Sequence, residues 1–245
     1  MPATVVLVHG AWHGAWCWTK VVPLLEAAGI DVVTVDLPGH GDSPGPPADL
    51  YQAAAHVRSV LDGIEGPTVV CGHSYGGAVI TEATAERAGV VQLVYLAALM
   101  PDVGESVAAT LPGATFDDTS DGGPASELGG AITNHDDGTI TIDPAVAVPA
   151  LYGDCSDDDI AFALSHLSPH SSASFGQPLT GAGWHDIPST YVVCTDDRAI
   201  VAGFQRAMAT ARATTVVELP TSHSPFFSRP EVVADLLIDL ARDSA

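Results

Sequence analysis

The sequence has 245 residues, enough to bury a full hydrophobic core, and no change in composition divides it into two comparable halves. Eight basic against 30 acidic residues give a net charge of −22. This charge excludes nucleic acid as an expected partner, because it would repel a phosphate backbone. Gly, Pro and Asp interrupt every apolar stretch before the roughly 20 residues that a membrane helix needs, so we expect a soluble protein that binds no membrane.

The first residues and the cysteines predict the compartment. Met1 to Gly10 lack the charged start and the cleavage site of a signal peptide. The four cysteines have no close spacing, which favours reduced thiols over a disulfide framework and gives no zinc-binding pattern. We therefore expect a cytoplasmic protein without a bound metal, and the sequence leaves a homodimer open.

Six short runs rich in Val and Ile are predicted as β-strands. Their apolarity is continuous rather than alternating, which is typical of strands covered on both faces. The predicted strands are Thr4 to Val8, Ile30 to Val35, Thr68 to Cys71, Val90 to Leu96, Thr190 to Cys194 and Thr214 to Leu219. The predicted helices are Val21 to Ala28, Asp49 to Ile64, Gly76 to Ala88, Val201 to Ala211 and Pro230 to Ala241. Their alternation predicts an α/β fold with a mostly parallel central sheet flanked by helices.

The alternation stops between about residues 102 and 186, which indicates an inserted cap. We therefore divide the chain into a first part of the core (1–104), a cap insertion (105–186) and a second part of the core (187–245). Within the cap, Ser156 and the three aspartates after it predict a helix N-terminus, because a serine cap and early negative charge favour one. A metal site on these carboxylates is the weaker interpretation, since capping already accounts for their position.

A G-x-S-x-G motif at residues 72–76 indicates a nucleophile. It follows a predicted strand and precedes an apolar helix, which is the context that a nucleophile elbow requires. Small residues beside Ser74 permit the sharp turn that lifts its hydroxyl clear of the sheet, and the helix N-terminus supplies backbone N–H groups. Ser74 is therefore the candidate nucleophile.

A serine hydroxyl needs a base to accept its proton, and His223 is the candidate. It follows the last predicted strand and precedes the terminal helix, late in the chain as the order Ser, acid, His requires. The carboxylate that orients the base should follow the penultimate strand, where Asp196 and Asp197 are both available, and we prefer Asp197. Asp102 is a reserve candidate, although its position after a proline is also typical of a turn.

The first predicted strand leads into a glycine-rich stretch that can approach a substrate. The backbone N–H groups of Ala11 and of Tyr75, the residue after the nucleophile, are the expected oxyanion hole. Trp12 and His13 are candidate substrate-binding residues. For the tryptophan, packing beneath the pocket is at least as good an interpretation.

Six motifs stand in a characteristic order along the chain: His9 to Trp18, Gly72 to Gly77, Leu99 to Asp102, Leu151 to Ser156, Val193 to Ile200, and Ser222-His223. Together they resemble, nearly end to end, the α/β-hydrolase family that contains plant methylesterases, the salicylate-binding esterase, hydroxynitrile lyases and bacterial esterases. The resemblance implies the α/β-hydrolase fold. It also implies that the catalytic acid is the second aspartate of Thr195-Asp-Asp-Arg198, Asp197, and that the base is His223.

The residues and the resemblance predict a serine hydrolase that cleaves a small-molecule carboxylic ester through an acyl-enzyme, without a cofactor. The alternatives are a hydroxynitrile-lyase-like or C–C bond cleaving enzyme with the same triad, and a receptor-like binding protein on this fold. Lyases of the family carry a threonine where this chain has Gly10, and a lysine where it has Ser224. Both differences argue against cyanohydrin cleavage.

Overall fold

A computed structural model describes residues 1–110, 126–128 and 131–244. Six strands build its central sheet: β1 (Thr4–Val8), β2 (Val32–Val35), β3 (Thr68–His73), β4 (Val90–Leu96), β8 (Ser189–Cys194) and β9 (Thr215–Leu219). Their order is β2-β1-β3-β4-β8-β9, and every neighbouring pair is parallel. Each strand begins and ends within two residues of the predicted positions. The predicted, mostly parallel sheet is therefore confirmed.

The helices of the core cover both faces of this sheet. They are α1 (Val22–Ala27), α2 (Leu50–Asp62), α3 (Gly76–Ala83), α7 (Ala202–Arg212), α8 (Pro225–Ser228) and α9 (Pro230–Asp243). All residues of β3 and β8, two of the strands that have a neighbour on each side, are buried, which explains their continuous apolarity. Helix α3 is five residues shorter than predicted, and Glu86 beyond its end has a left-handed φ of 55°, which a right-handed helix cannot contain.

The segment between β4 and β8 carries elements outside the central sheet. They are β5 (Ile132–Asn134), β6 (Thr139–Ile142), α4 (Pro144–Leu151), α5 (Asp157–His166), β7 (His170–Ser171) and α6 (Ala173–Gly176). The three strands form a separate antiparallel sheet, which the sequence analysis missed. The division at residues 105 and 186 stays a prediction, and part of its cap lies outside the described residues.

The predicted start of α5 is confirmed. The Ser156 hydroxyl accepts the backbone N–H of Asp159 at 3.2 Å, and its own proton goes to the Asp159 carboxylate at 2.6 Å. The same carboxylate binds the Lys20 ammonium at 2.7 Å. The cap helix is therefore tied to the core by its first turn.

Two further contacts join the cap sheet to the core. The indole N–H of Trp12 donates to the carbonyl of Ile140 in β6 at 3.2 Å. The rings of His40 and His170 share a hydrogen bond of 2.9 Å, and both side chains are buried. These contacts hold the small sheet beside the loops that follow β1 and β2. No helix within the described ranges is long and apolar enough to cross a membrane.

Candidate active site

Ser74 stands at the sharp turn between β3 and α3. Its φ of 52° is left-handed, a conformation that costs a non-glycine residue free energy and that occurs at functional turns. The turn is held by the N–H of Leu99, which donates to the Ser74 carbonyl at 3.0 Å. Ser74 is half-buried, whereas the residues on either side of it are fully buried. The turn therefore presents the Ser74 side chain to a cavity.

The glycines of the motif are required by close backbone contacts. A Cβ added to Gly72 would lie 2.6 Å from the carbonyl oxygen of Gly76, and one added to Gly76 would lie 2.6 Å from that of His9. A Cβ on Gly10 would lie 2.8 Å from the Ser74 Cβ. Any side chain at these positions would displace the turn that carries Ser74.

His223 and Asp197 form a buried pair at the carboxyl ends of β9 and β8. The His223 Nδ1 lies 2.7 Å from the Asp197 Oδ2, and the two side chains are 1% and 0% exposed. A carboxylate can only accept a hydrogen bond, so Nδ1 carries the proton and Nε2 is left as an acceptor. This is the tautomer that a general base needs.

The other two candidate acids lie elsewhere. Asp196 is exposed to solvent. Asp102 is 39% exposed and pairs with the ring of His185 at 2.8 Å, away from His223. Of the three carboxylates considered, the structure brings only Asp197 to His223. Among the described residues the Ser74 hydroxyl makes no hydrogen bond, so its link to His223 is not formed in this structure.

His73 is a residue of this site that sequence reasoning missed. Its Nε2 donates to the carbonyl oxygen of His223 at 2.9 Å, and the two ring centroids lie 4.6 Å apart. Burial lowers the pKa of His73 well below its usual value, and the charge of His223 lowers it further. A neutral His73 therefore connects the turn of Ser74 to the loop of His223. The motif contained His73, but nothing in the sequence points to an acceptor 150 residues away.

Two residues beside Ser74 have backbone N–H groups without an acceptor among the described residues. Ala11 and Tyr75 both line the cavity, and within the described part of the chain neither backbone N–H donates a hydrogen bond. His9 holds the loop before Ala11, because its Nδ1 donates to the carbonyl of Gly10 at 2.8 Å. Unpaired N–H groups beside a nucleophile can stabilise a developing oxyanion.

His13 is one of the two predicted substrate-binding residues. Its side chain is 1% exposed and is absent from the described cavity wall. Its Nδ1 donates to the carbonyl of Ala11 at 2.8 Å, and its Nε2 lies 2.8 Å from the hydroxyl of Tyr152. Burial lowers its pKa to about 4, so the ring is neutral at physiological pH. Both ring nitrogens therefore have partners inside the protein, and a contact of His13 with substrate stays a prediction.

A cavity of about 310 Å³ opens at Ser74. Its described walls carry no charged side chain and are mainly apolar; they include Trp12, Leu99, Val107, Leu128, Phe175 and Ile200. Of the two predicted substrate-binding residues, Trp12 lines this space. The described residues contain no cluster of His, Cys, Asp or Glu that could hold a metal ion. The site can therefore enclose a small apolar group next to a serine hydroxyl.

Comparisons with known proteins agree with this geometry. Residues 5–236 match the model of the Alpha/beta hydrolase family. The pyrethroid hydrolase of Sphingobium wenxiniae is 31% identical over 97% of this chain and 87% of its own. Methylesterase 2 of Arabidopsis thaliana is 29% identical over 96% and 95%. A solved pyrethroid hydrolase from Sphingobium faniae superposes with a TM-score of 0.84 at 29% identity, covering 98% and 97%.

These relatives are esterases and hydrolases, so the predicted class of ester hydrolase is confirmed, as is the predicted fold. The match of the family model runs from β1 into α9 and includes every element of the site. The chain belongs to the alpha/beta hydrolase family.

Proposed function

We propose that the protein hydrolyses a small, uncharged carboxylic ester through an acyl-enzyme on Ser74. The observation that carries the proposal is the left-handed turn of Ser74 at an apolar cavity, beside the buried pair of His223 and Asp197. Two of its relatives, a methylesterase and a pyrethroid hydrolase, also support hydrolysis of an ester.

In the first half-reaction, the Ser74 Oγ attacks the ester carbonyl while the His223 Nε2 takes its proton. The same nitrogen then gives that proton to the departing alcohol. Asp197 remains ionised and stabilises the imidazolium through the Nδ1 proton. In the second half-reaction, the His223 Nε2 takes a proton from a water molecule while the water oxygen attacks the acyl carbonyl. The same nitrogen then gives that proton to the departing Ser74 Oγ, so that the acid is released and the Ser74 hydroxyl is restored.

The carbonyl oxygen gains negative charge in both steps, and the N–H groups of Ala11 and Tyr75 are the donors that we assign to it. Their support is their position at the cavity and their lack of other described acceptors. Donors fixed in advance for a developing charge are worth a few kcal/mol in the transition state.

The cavity wall suggests the chemistry of the substrate. Its described side chains include no cation that could bind a carboxylate or phosphate group, and the net charge of −22 disfavours anions in general. Trp12 offers an apolar face for the group that enters. We therefore assign to this site an ester whose acyl and alcohol parts are both uncharged.

Cyanohydrin cleavage is the competing reaction, and it needs a positive charge for the departing cyanide. The position after His223 is Ser224, and the ammonium of Lys20, the one lysine, pairs with Asp159. Arg198 forms an ion pair with Glu127, in which its Nη1 lies 2.8 Å from the carboxylate. Lys20 and Arg198 thus have partners outside the cavity wall.

We expect the purified protein to hydrolyse methyl or aryl esters and to cleave mandelonitrile at a negligible rate. Both activities are measured on one preparation, with Ser74→Ala as the control for contaminating esterases. Rapid cleavage of mandelonitrile together with negligible ester hydrolysis would replace the proposal with a lyase. Binding of esters without turnover would favour a receptor-like protein.

We also propose a cytoplasmic location. It is supported by the four cysteines, all of which are free thiols. Fractionation of the source cells tests the location, and light scattering of the purified protein tests whether it forms the homodimer that the sequence leaves open.

A further inference from the structure

We propose that Gln205 is a positioning residue that fixes the carboxylate of Asp197 for its work on His223. The inference rests on the proposed function, because it assumes the catalytic roles of Asp197 and His223. Gln205 lies in the first turns of α7, its side chain is fully buried, and it does not belong to the described cavity wall. It therefore acts on the reaction only through Asp197.

The partners of the Gln205 amide determine which end carries the nitrogen. Its Oε1 accepts the backbone N–H of Cys194 at 3.0 Å, and its Nε2 donates to the carbonyl of Ile200 at 2.6 Å. A backbone N–H can only donate and a carbonyl can only accept, so the amide has one permitted orientation. The second Nε2 proton is then directed at the Oδ2 of Asp197, 2.8 Å away.

This contact completes the hydrogen bonding of the carboxylate. An ionised carboxylate has about four acceptor positions. The Asp197 Oδ1 accepts the backbone N–H groups of Ala199 and Ile200 at 2.7 and 3.0 Å. The Oδ2 accepts His223 Nδ1 at 2.7 Å and Gln205 Nε2 at 2.8 Å. Gln205 and His223 thus bind the same oxygen of Asp197, and the contact with Gln205 limits rotation of the carboxylate.

The shared oxygen gives Gln205 an effect on protonation as well as on orientation. A donor to a carboxylate stabilises its ionised form, so loss of the donor lets the Asp197–His223 pair take up a proton at a higher pH. A pair that already holds this proton cannot accept one from Ser74. In a plot of kcat/KM against pH, the acid limb is the part where activity falls as the pH decreases. This limb should therefore move to higher pH when the amide is removed. A residue that only filled space would leave the limb where it is.

The first test is Gln205→Met, which keeps the length of the side chain and removes both the C=O and the NH₂ of the amide. With a p-nitrophenyl ester, we expect kcat to fall about ten- to a hundredfold, KM to change less than about threefold, and the acid limb to rise by about one pH unit. The matched control is Gln92→Met, because the Gln92 amide binds Thr190 in the sheet, away from the site. The control should leave the acid limb in place.

The second test is Gln205→Glu, which keeps the shape and the oxygen that accepts the Cys194 N–H. The introduced carboxyl would stand at hydrogen-bond distance from Asp197, and two such groups share one proton because they cannot both ionise cheaply. While protonated, the introduced carboxyl can donate to Asp197 and support turnover. We expect a loss of activity on the alkaline side of the profile that neither the wild type nor Gln205→Met shows.

A wild-type pH profile in either Gln205 variant would overturn the inference. If Gln205→Met does not fold, Gln205→Glu decides, and the wild-type protein offers a third measurement. Its Gln205 side-chain amide resonances should titrate with the acid limb in ¹⁵N–¹H spectra, and resonances that do not move would contradict the contact. Asp197→Asn and Ser74→Ala are measured alongside. Full ester turnover by a folded Ser74→Ala defeats the proposed function, and wild-type turnover by Asp197→Asn defeats the role of Asp197 on which the inference rests. An inactive Asp197→Asn with unaltered Gln205 variants defeats only this inference.

Discussion

At the scale of single residues, the choice between Asp196 and Asp197 depends on which of two adjacent side chains turns inward. Asp197 is fully buried against His223, and Asp196 is exposed. The Asp197 Oδ2 holds the imidazole of His223 in one tautomer. The carboxylate of Asp196 points to solvent and cannot do so from its position. Asp196 is thus a matched control that carries the same functional group one position away.

We expect Asp197→Asn to lower kcat/KM by about 10⁴-fold, because an amide in this place can stabilise the wrong imidazole tautomer. Asp196→Asn should retain turnover within about twofold. Steady-state kinetics on both variants, with circular dichroism to verify folding, measure the difference. A damaging Asp196→Asn beside an active Asp197→Asn would move the assignment by one residue.

The sequence could predict Ser74, Asp197 and His223 because each follows a strand, and parallel strands bring their carboxyl ends to one edge. It could not predict the hydrogen bonds that the side chains of His73 and Gln205 make. Their contacts depend on which backbone atoms face them in the folded chain, and His73 finds its acceptor in a loop near the other end of the sequence. The sequence also could not predict the partners of the two ring nitrogens of His13, which are Ala11 and Tyr152.

At the scale of elements, the core and the cap differ in how far the sequence specifies them. The buried parallel strands have continuous runs of Val and Ile, and the runs located them to within two residues. The cap strands are only two to four residues long and partly exposed, so they give a weaker signal. One signal for β6 was present in the sequence: Asp137-Gly138, a dipeptide typical of hairpin turns, precedes the alternating run Thr139–Ile142. In the structure, Gly138 has a left-handed φ of 82°.

The first turn of α5 offers a test of how the cap is stabilised. Removing the Ser156 hydroxyl takes away the N-cap and one partner of the Asp159 carboxylate. We expect Ser156→Ala to lower the free energy of unfolding by about 1 kcal/mol. Ser165→Ala in the same helix is the matched control, because its exposed hydroxyl caps nothing and bonds within the helix to the carbonyl of Phe162.

Chemical denaturation of both variants measures this difference. The control should remain within about 0.5 kcal/mol of the wild type. Equal effects of the two substitutions would show that the hydroxyl of Ser156 has no special contribution at the helix start.

At the scale of the whole molecule, five buried histidines link stability to pH. Burial lowers the pKa values of His9, His13, His40, His73 and His170, and that of His13 reaches about 4. In the unfolded chain these rings have a pKa near 6.5. The unfolded state therefore binds more protons than the folded state once the pH falls below that value, and stability is lost as the pH falls.

We expect the free energy of unfolding to be highest above about pH 6.5 and to fall steadily towards pH 4. His13 alone contributes a loss on the order of 3 kcal/mol at the lower end, from a pKa lowered to about 4. Urea unfolding at pH 7.5, 6 and 5 measures the slope. His13→Gln should flatten it, whereas the exposed His135→Gln should not. Stability that stays constant or rises on acidification would contradict the neutral buried rings.

Covalent labelling tests whether Ser74 is the nucleophile. A fluorophosphonate reacts with activated serines, and peptide mass mapping then locates the modified residue. We expect one label per chain, on the peptide that contains Ser74, together with loss of ester turnover in step with labelling. A folded Ser74→Ala variant should take up no label and have no turnover. Labelling of a different residue with loss of activity, or full ester turnover by Ser74→Ala, would contradict this role of Ser74.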